Sequence, residues 1–228
     1  MYSPENFHPS VKSHPLHIGI IPDGGRRWAV QNACSLIDSY DFTRQKLYEF
    51  VPKLLQNGVN QISIYLSSKE NFRRSEQEVK AFVDTSVAAL LNDIRKLAYA
   101  EHLHVKVAGI REGLPQKYIN AIELIENETT DFTSAKLNLC IGYHPHDEII
   151  HAINAADSAA GFVNHLWVNT PIDLVIRTGG ANLLSNFLPL QSGYARLYFF
   201  NELFNNLKWE NILSILNEYK NENLKYGT

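Results

Sequence analysis

Short apolar runs rich in β-branched residues, separated by stretches with helical spacing, constrain this chain more than any other feature. The runs lie at 16–21, 62–66, 103–108, 137–141, 174–176 and 197–200. Each has strand length. The clearest helix begins at Ser75, which with Glu78 three residues on forms a capping-box pattern. Val79, Phe82, Val83, Val87, Leu90, Leu91, Ile94, Leu97 and Ala98 then follow helical spacing. Further helices are expected near 41–56, 115–127, 146–157 and 209–222. This alternation predicts one α/β domain with a mainly parallel sheet. The least patterned stretch, 158–171, reads as a surface connection. Residues 1–14 carry Pro, Ser, Asn and His and read as a flexible N-terminal arm, leaving 15–228 as the domain.

Composition narrows the function classes. With 45% hydrophobic and 20% charged residues the chain reads as a soluble globular protein. A net charge of -3 is not the basic footprint of a nucleic-acid binder, so no nucleic-acid partner is expected. No apolar run approaches the roughly 18 residues of a membrane span. The N-terminus lacks a basic segment followed by an apolar one, so a cytoplasmic protein without a transmembrane segment is expected. Cys34 and Cys140 are far apart, which argues against a disulfide framework or a cysteine zinc site. Abundant Phe and Tyr can fill a core or line an apolar pocket.

The first run ends in "IIPDGGRRW", where apolar residues give way to Pro22, Asp23, Gly24, Gly25, Arg26 and Arg27. In a parallel α/β sheet, ligands collect outside the carboxyl ends of the strands. Paired glycines let backbone N–H groups approach an anion, and the arginines add forked donors. Asp23 opposes an anion unless a divalent cation joins it to phosphate oxygens. Mg²⁺ suits that role, because it takes one or two carboxylates plus phosphate. The alternative is a plain glycine turn with an exposed Asp–Arg pair. Two more polar segments close strands: "YLSSKENFRRS", with Ser67, Ser68, Asn71 and Arg74, and "DLVIRTGGANLLSNF", with Arg177, Ser185 and Asn186. Together they describe a diphosphate-binding mouth over apolar walls.

In these segments the chain resembles the cis-prenyltransferases, typified by undecaprenyl diphosphate synthase. "HIGIIPDGGRRWA", "SIYLSSKENFRRSEQEV", "LNLCIGY" and "DLVIRTGG" with "LSNFLPLQSGYARLYF" occur in the family's order, from about His17 to Gly227. The resemblance implies a homodimer, a six-stranded sheet flanked by helices, and an apolar tunnel for the prenyl chain. It implies that Asp23 is the essential metal-linked carboxylate and that Gly24, Gly25, Arg26 and Arg27 hold an allylic diphosphate. Asn71 then stands where an Asn assists proton removal, with Ser68 beside it, and Arg74 is a phosphate ligand. Arg177 and Ser185 fall in the acceptor's diphosphate site. Trp28 is either a pocket wall or core.

The departures from the family pattern bear on the acceptor. Gly25 and Arg26 replace an Asn and a Gly, and Leu36 and Tyr40 replace an Arg and a His. The first loop and Tyr40 resemble the cyclolavandulyl diphosphate synthase branch, which joins two dimethylallyl diphosphates and cyclises the product. After Arg177-Thr178-Gly179-Gly180, a Glu, a polar residue and a second phosphate-binding Arg are replaced by Ala181, Asn182 and Leu183. A metal-sharing Glu is replaced by Arg196, a permanent cation that can take over one phosphate contact. Leu66 stands at a tunnel position that is usually small, and the basic C-terminal signature is reduced to Lys225. Three readings follow. One is a prenyltransferase with an altered acceptor. Another is an ordinary short-chain synthase using isopentenyl diphosphate, and the third is a non-catalytic dimer partner. The apolar segment from about Phe187 to Phe200 is expected at the dimer interface. His144, His146 and His151 read as polar residues at a helix start rather than metal ligands.

Overall fold

A computed structural model describes residues 16–158 and 161–221, so the N-terminal arm and Lys225 lie outside the described residues. The apolar runs pair edge to edge. β1 (Leu16–Ile21), β2 (Val59–Tyr65), β3 (Leu103–Ala108), β4 (Ala135–Cys140), β5 (Leu174–Arg177) and β6 (Arg196–Phe199) form one six-stranded sheet. Their order is β3-β4-β2-β1-β5-β6, and every neighbouring pair is parallel. The helices are α1 (Gly25–Gln31), α2 (Leu36–Gln56), α3 (Glu76–Ala89), α4 (Arg95–Glu101), α5 (Gln116–Glu128), α6 (Pro145–Ala155) and α7 (Trp209–Asn221). A single π-helical turn, Leu90–Ile94, joins α3 to α4.

Strand alternation sorts the core onto two faces. Ile18, Ile20, Ile62, Ile64, Leu137, Leu139, Leu174 and Ile176 face a large cluster with Phe50, Val83, Tyr118 and Ile215 from the helices. Ile21, Cys140 and Val175 point to a smaller cluster with Tyr143, Val168, Ile172 and Phe187. Part of that second face is polar and satisfied. The His17 ring lies 2.8 Å from the Pro171 carbonyl and 2.7 Å from the Ser63 hydroxyl, to which Asn138 also donates.

Two boundaries differ from expectation for identifiable reasons. α2 starts at Leu36 rather than near 41, because Ser35 and Asp38 cap each other reciprocally. α1 follows Gly24 directly, so the glycine pair opens a helix rather than a free loop. The connection at 158–171 carries a 3₁₀ turn, Phe162–His165, and buries Leu166 and Val168.

Val168 is pinned by Glu148, which is 1% exposed. The carboxylate accepts hydrogen bonds from the Tyr143 hydroxyl at 2.6 Å, the Val168 N–H at 3.1 Å and the Gln191 amide at 3.2 Å. Burial pushes its pKa above the ordinary 4.5, against the pull of these bonds. A raised folded-state pKa contributes stability that is full below the unfolded value and is lost as pH rises through the folded value. Glu148→Gln, which cannot ionise, is therefore expected to gain stability relative to the parent between pH 4.5 and 8. Thermal melts of both proteins across that range check this, and a constant difference would contradict it.

Candidate active site

β1 has β2 on one side and β5 on the other, so the chain changes direction across the sheet between β1 and β5. Such switch points open a crevice at the carboxyl ends of the strands. Asp23 follows β1 and Arg177 ends β5, which brings them together there. Beneath them lies a cavity of about 900 Å³, near the top of the roughly 300–1,000 Å³ range of small-molecule sites. Its walls are Ile64, Leu137, Leu139 and Ile141 of the sheet face, one stripe of α2, and one stripe of α3 and its continuation. Leu66 is part of the wall.

The mouth is held by a network centred on Asp23. Its Oδ2 accepts from Arg177 Nη2 at 2.9 Å, and its Oδ1 lies 3.4 Å from Arg27 Nη2. Its backbone carbonyl accepts from the Thr178 hydroxyl and the Phe204 N–H. Arg27 Nη1 donates to the Gly179 carbonyl at 2.8 Å. The glycines are required at two points. Gly24 sits at φ 119°, with Leu203 2.7 Å from where a Cβ would stand. Gly179 sits at φ 85°, with Arg27 Nη2 2.5 Å from such a Cβ. Gly25 begins α1 and lines the same mouth.

Arg177 is 6% exposed and spends its donors on the chain itself. Besides Asp23, its guanidinium reaches the Leu183 carbonyl at 2.6 Å and the Ser185 hydroxyl at 2.7 Å, both through Nη1. Its Nε–H is buried without a hydrogen-bond partner. Ser185, Asn186 and Leu188 take left-handed backbone conformations, with φ of 49°, 63° and 40°. Such conformations persist where surrounding contacts fix them. Arg177 supplies one such contact, and the Tyr65 hydroxyl, which donates to the Ser185 carbonyl at 3.1 Å, supplies another.

On the opposite rim, Tyr40, Ser68, Asn71 and Arg74 all line the cavity. Tyr40 is partly buried, and that burial raises its pKa despite the nearby Arg74 and Arg26, so its hydroxyl is a neutral hydrogen-bond donor. Ser68 and Asn71 cap a 3₁₀ turn together, and Asn71 Oδ1 accepts from the Ser68 N–H at 3.1 Å. Arg26 lies 3.7 Å from Glu78, which ties α1 to α3 across the opening.

Two expected site residues lie elsewhere. Trp28 is absent from the cavity wall, because it stacks on Phe42 at 4.9 Å and donates to Asn206. Arg196 opens β6 in register with Leu174, while the mouth lies at the other end, where Phe199 pairs with Arg177. Three residues of strand, about 10 Å, separate the two ends. The Arg196 guanidinium instead lies over the Tyr219 ring. The expected interface segment is also partly internal. Phe187 and Leu188 are wholly buried in this chain, while Leu190, Tyr194 and Leu197 are exposed. His144 caps α6, in keeping with a helix start. Tyr65, Thr178 and Leu203 complete the mouth without having been singled out in sequence, and Glu78, read there only as part of a capping box, joins them. For Tyr65, its position as the last residue of a strand was the available signal.

Asp23 can serve a metal. It is about one-third exposed and lies beside Arg27 and Arg177, at a mouth that Arg26 and Arg74 also line. Among the described residues no group of three or more His, Cys, Asp or Glu side chains could hold an ion by itself. One carboxylate plus phosphate oxygens is a donor set that fits Mg²⁺.

A family model described as putative undecaprenyl diphosphate synthase matches residues 21–227. A tritrans,polycis-undecaprenyl-diphosphate synthase (geranylgeranyl-diphosphate specific) of Picrophilus torridus is 33% identical, over 95% of this chain and 92% of that one. An isoprenyl transferase of Treponema denticola is 32% identical, over 92% of this chain and 96% of that one. Among solved structures, lavandulyl diphosphate synthase from Lavandula x intermedia, in complex with dimethylallyl diphosphate, superposes with a TM-score of 0.84. It covers 92% of this chain and 96% of its own, and at 24% identity the likeness is one of fold. A probable undecaprenyl diphosphate synthase of Campylobacter jejuni gives a TM-score of 0.74 at 25% identity, covering 92% of this chain and 97% of that one.

Proposed function

Because the chain belongs to the undecaprenyl diphosphate synthase family of cis-prenyltransferases, we propose that it ionises a short allylic diphosphate, dimethylallyl or geranyl, and transfers the allyl group to an altered acceptor. That acceptor is a second allylic diphosphate, giving a branched, lavandulyl-type product, or a nucleophile without a diphosphate. The observation carrying this reading is the commitment of Arg177. Its Nη1 is spent on Leu183 and Ser185 and one Nη2 bond on Asp23. The position of a second phosphate-binding Arg is Leu183, more than half exposed. The other cationic side chains of the mouth, Arg26, Arg27 and Arg74, gather at one diphosphate position, with Arg26 beside Glu78 and Arg27 beside Asp23.

In this mechanism the allylic C–O bond breaks and its electron pair leaves with the diphosphate. Arg26, Arg27 and Arg74 stabilise the departing charge, as pre-positioned donors do where charge develops. Mg²⁺, held by Asp23 and diphosphate oxygens, would supply Lewis-acid stabilisation of that charge. The allyl cation stays against the apolar wall, where water is excluded. The acceptor's electron pair forms the new bond, and the proton it releases goes to the departing diphosphate. Asn71, whose Oδ1 already accepts from Ser68, offers an N–H and so orients rather than deprotonates.

Mass spectrometry of purified protein with Mg²⁺ tests the reading. Dimethylallyl, geranyl and farnesyl diphosphates are offered with and without isopentenyl diphosphate. Product from dimethylallyl or geranyl diphosphate alone, or with an added nucleophile, is expected. A linear cis product formed efficiently with isopentenyl diphosphate would favour ordinary condensation, the reaction that the relatives' names indicate. Failure to consume any allylic diphosphate would favour a non-catalytic partner. In addition, Ala181→Glu with Leu183→Arg is expected to raise kcat/KM for isopentenyl diphosphate at least tenfold. One charge-assisted contact contributes roughly 1.5–3 kcal/mol. Arg196 is left unchanged, since it lies at the other end of the strand. An unchanged kcat/KM would mean that Leu183 does not limit the acceptor.

A further inference from the structure

Away from the mouth, the cavity wall is apolar or neutral except at Arg44 and Asp93. These two form an ion pair that joins the middle of α2 to the π-helical turn after α3. Arg44 is also bonded to Asp41, with Nε donating at 3.2 Å, so it is braced from its own helix. Both side chains of the pair are about one-quarter exposed while also lining the cavity. They therefore face both the cavity and solvent. The π turn is a second pointer, since such turns are rare and concentrate at functional positions. Here it carries Asp93 while Leu90 and Ile94 of the same turn also line the cavity.

We propose that the Arg44–Asp93 pair is a specificity-determining latch. It closes the flank of the cavity between α2 and the π turn and thereby sets the longest hydrocarbon that the donor diphosphate can bring. A longer chain must pass this point, which means separating two charges in a low-dielectric wall or displacing α2 from the turn. Short donors end before the pair and do not touch it. The proposal rests on the reading of the cavity as the seat of an allylic chain.

Binding of non-ionisable thiolo-diphosphates with five-, ten-, fifteen- and twenty-carbon chains tests it without turnover. Calorimetric titration is run on the parent, Arg44→Ala, Asp93→Ala and the apolar pair Arg44→Met/Asp93→Leu. The parent is expected to favour the five- and ten-carbon probes. Both alanine variants are expected to gain at least tenfold in affinity for the fifteen-carbon probe relative to the five-carbon one. The apolar pair controls for stability, and melting curves confirm folding of each variant. A chain-length ratio within twofold of the parent's in every folded variant overturns the latch. So does a parent that binds the twenty-carbon probe as tightly as the five-carbon one. If no probe binds the parent, the donor reading itself fails and the latch with it, a result distinct from binding with an unchanged ratio.

Discussion

Asp23→Ala is expected to lower allylic diphosphate turnover at least about a hundredfold, close to 2.7 kcal/mol of transition-state stabilisation. The loss has two sources. Asp23 is the mouth carboxylate suited to Mg²⁺, and it also fixes Arg177 through the 2.9 Å bond to Nη2. Two variants separate them. Asp23→Asn keeps an acceptor for Arg177 but removes the charge that a cation requires. It should lose nearly as much activity as the alanine variant while melting close to the parent. Asp23→Ala should also lose stability, though modestly, because the carboxylate is about one-third exposed. The backbone contacts made by the Asp23 carbonyl survive either change. Initial rates with dimethylallyl and geranyl diphosphates, beside thermal melts, measure both effects. If Asp23→Asn retained the parental rate, Asp23 would be a structural anchor only.

Arg177→Ala is expected to be the most destabilising single change at the site. Its guanidinium is almost wholly buried and holds Asp23, Ser185 and the Leu183 carbonyl at once. Breaking a buried ion pair costs about 3–5 kcal/mol, and the partial exposure of Asp23 puts the expectation at about 3. At roughly 2–4 °C per kcal/mol for a chain of this size, the melting temperature should fall by about 6–12 °C. Activity should fall with it, since the left-handed segment around Ser185 and Asn186 loses its anchor. Arg177→Lys keeps the charge but lacks the forked geometry, and should recover less than half of the lost stability. A fall within about 2 °C for the alanine variant would show that Tyr65 and Thr178 hold the mouth without it.

Most of the sheet was legible because buried strands leave uninterrupted apolar runs, and a mainly parallel order followed from their alternation with helices; the sheet is wholly parallel. The errors have local causes. α2 was placed too short because its reciprocal cap pairs Ser35 with Asp38 rather than with the Glu or Gln of the usual pattern. The Gly24–Arg27 stretch reads as a loop in sequence, yet a single left-handed residue is enough to turn the chain into α1. The mouth was legible as three polar segments after strands, and the sheet order unites those after β1, β2 and β5. Trp28 and Arg196 were misjudged because sequence says which residues are near a strand end but not which way a side chain faces. Asn206 and Tyr219, which hold them, lie far along the chain. The Arg44–Asp93 contact joins two helices, with no motif to announce it.

The shared oxygen between Asp23 and Arg177 has a kinetic consequence. Oδ2 cannot serve Nη2 and a cation equally well, so a cation held by Asp23 would compete with Arg177 for that oxygen. Under the proposed reaction, that one N–H would be released toward the crevice only while the donor's cation was held. Substrate addition would then have a compulsory order, donor before acceptor, and departure of the leaving group would restore the pair. One ion pair would thus keep time for the catalytic cycle without any domain movement.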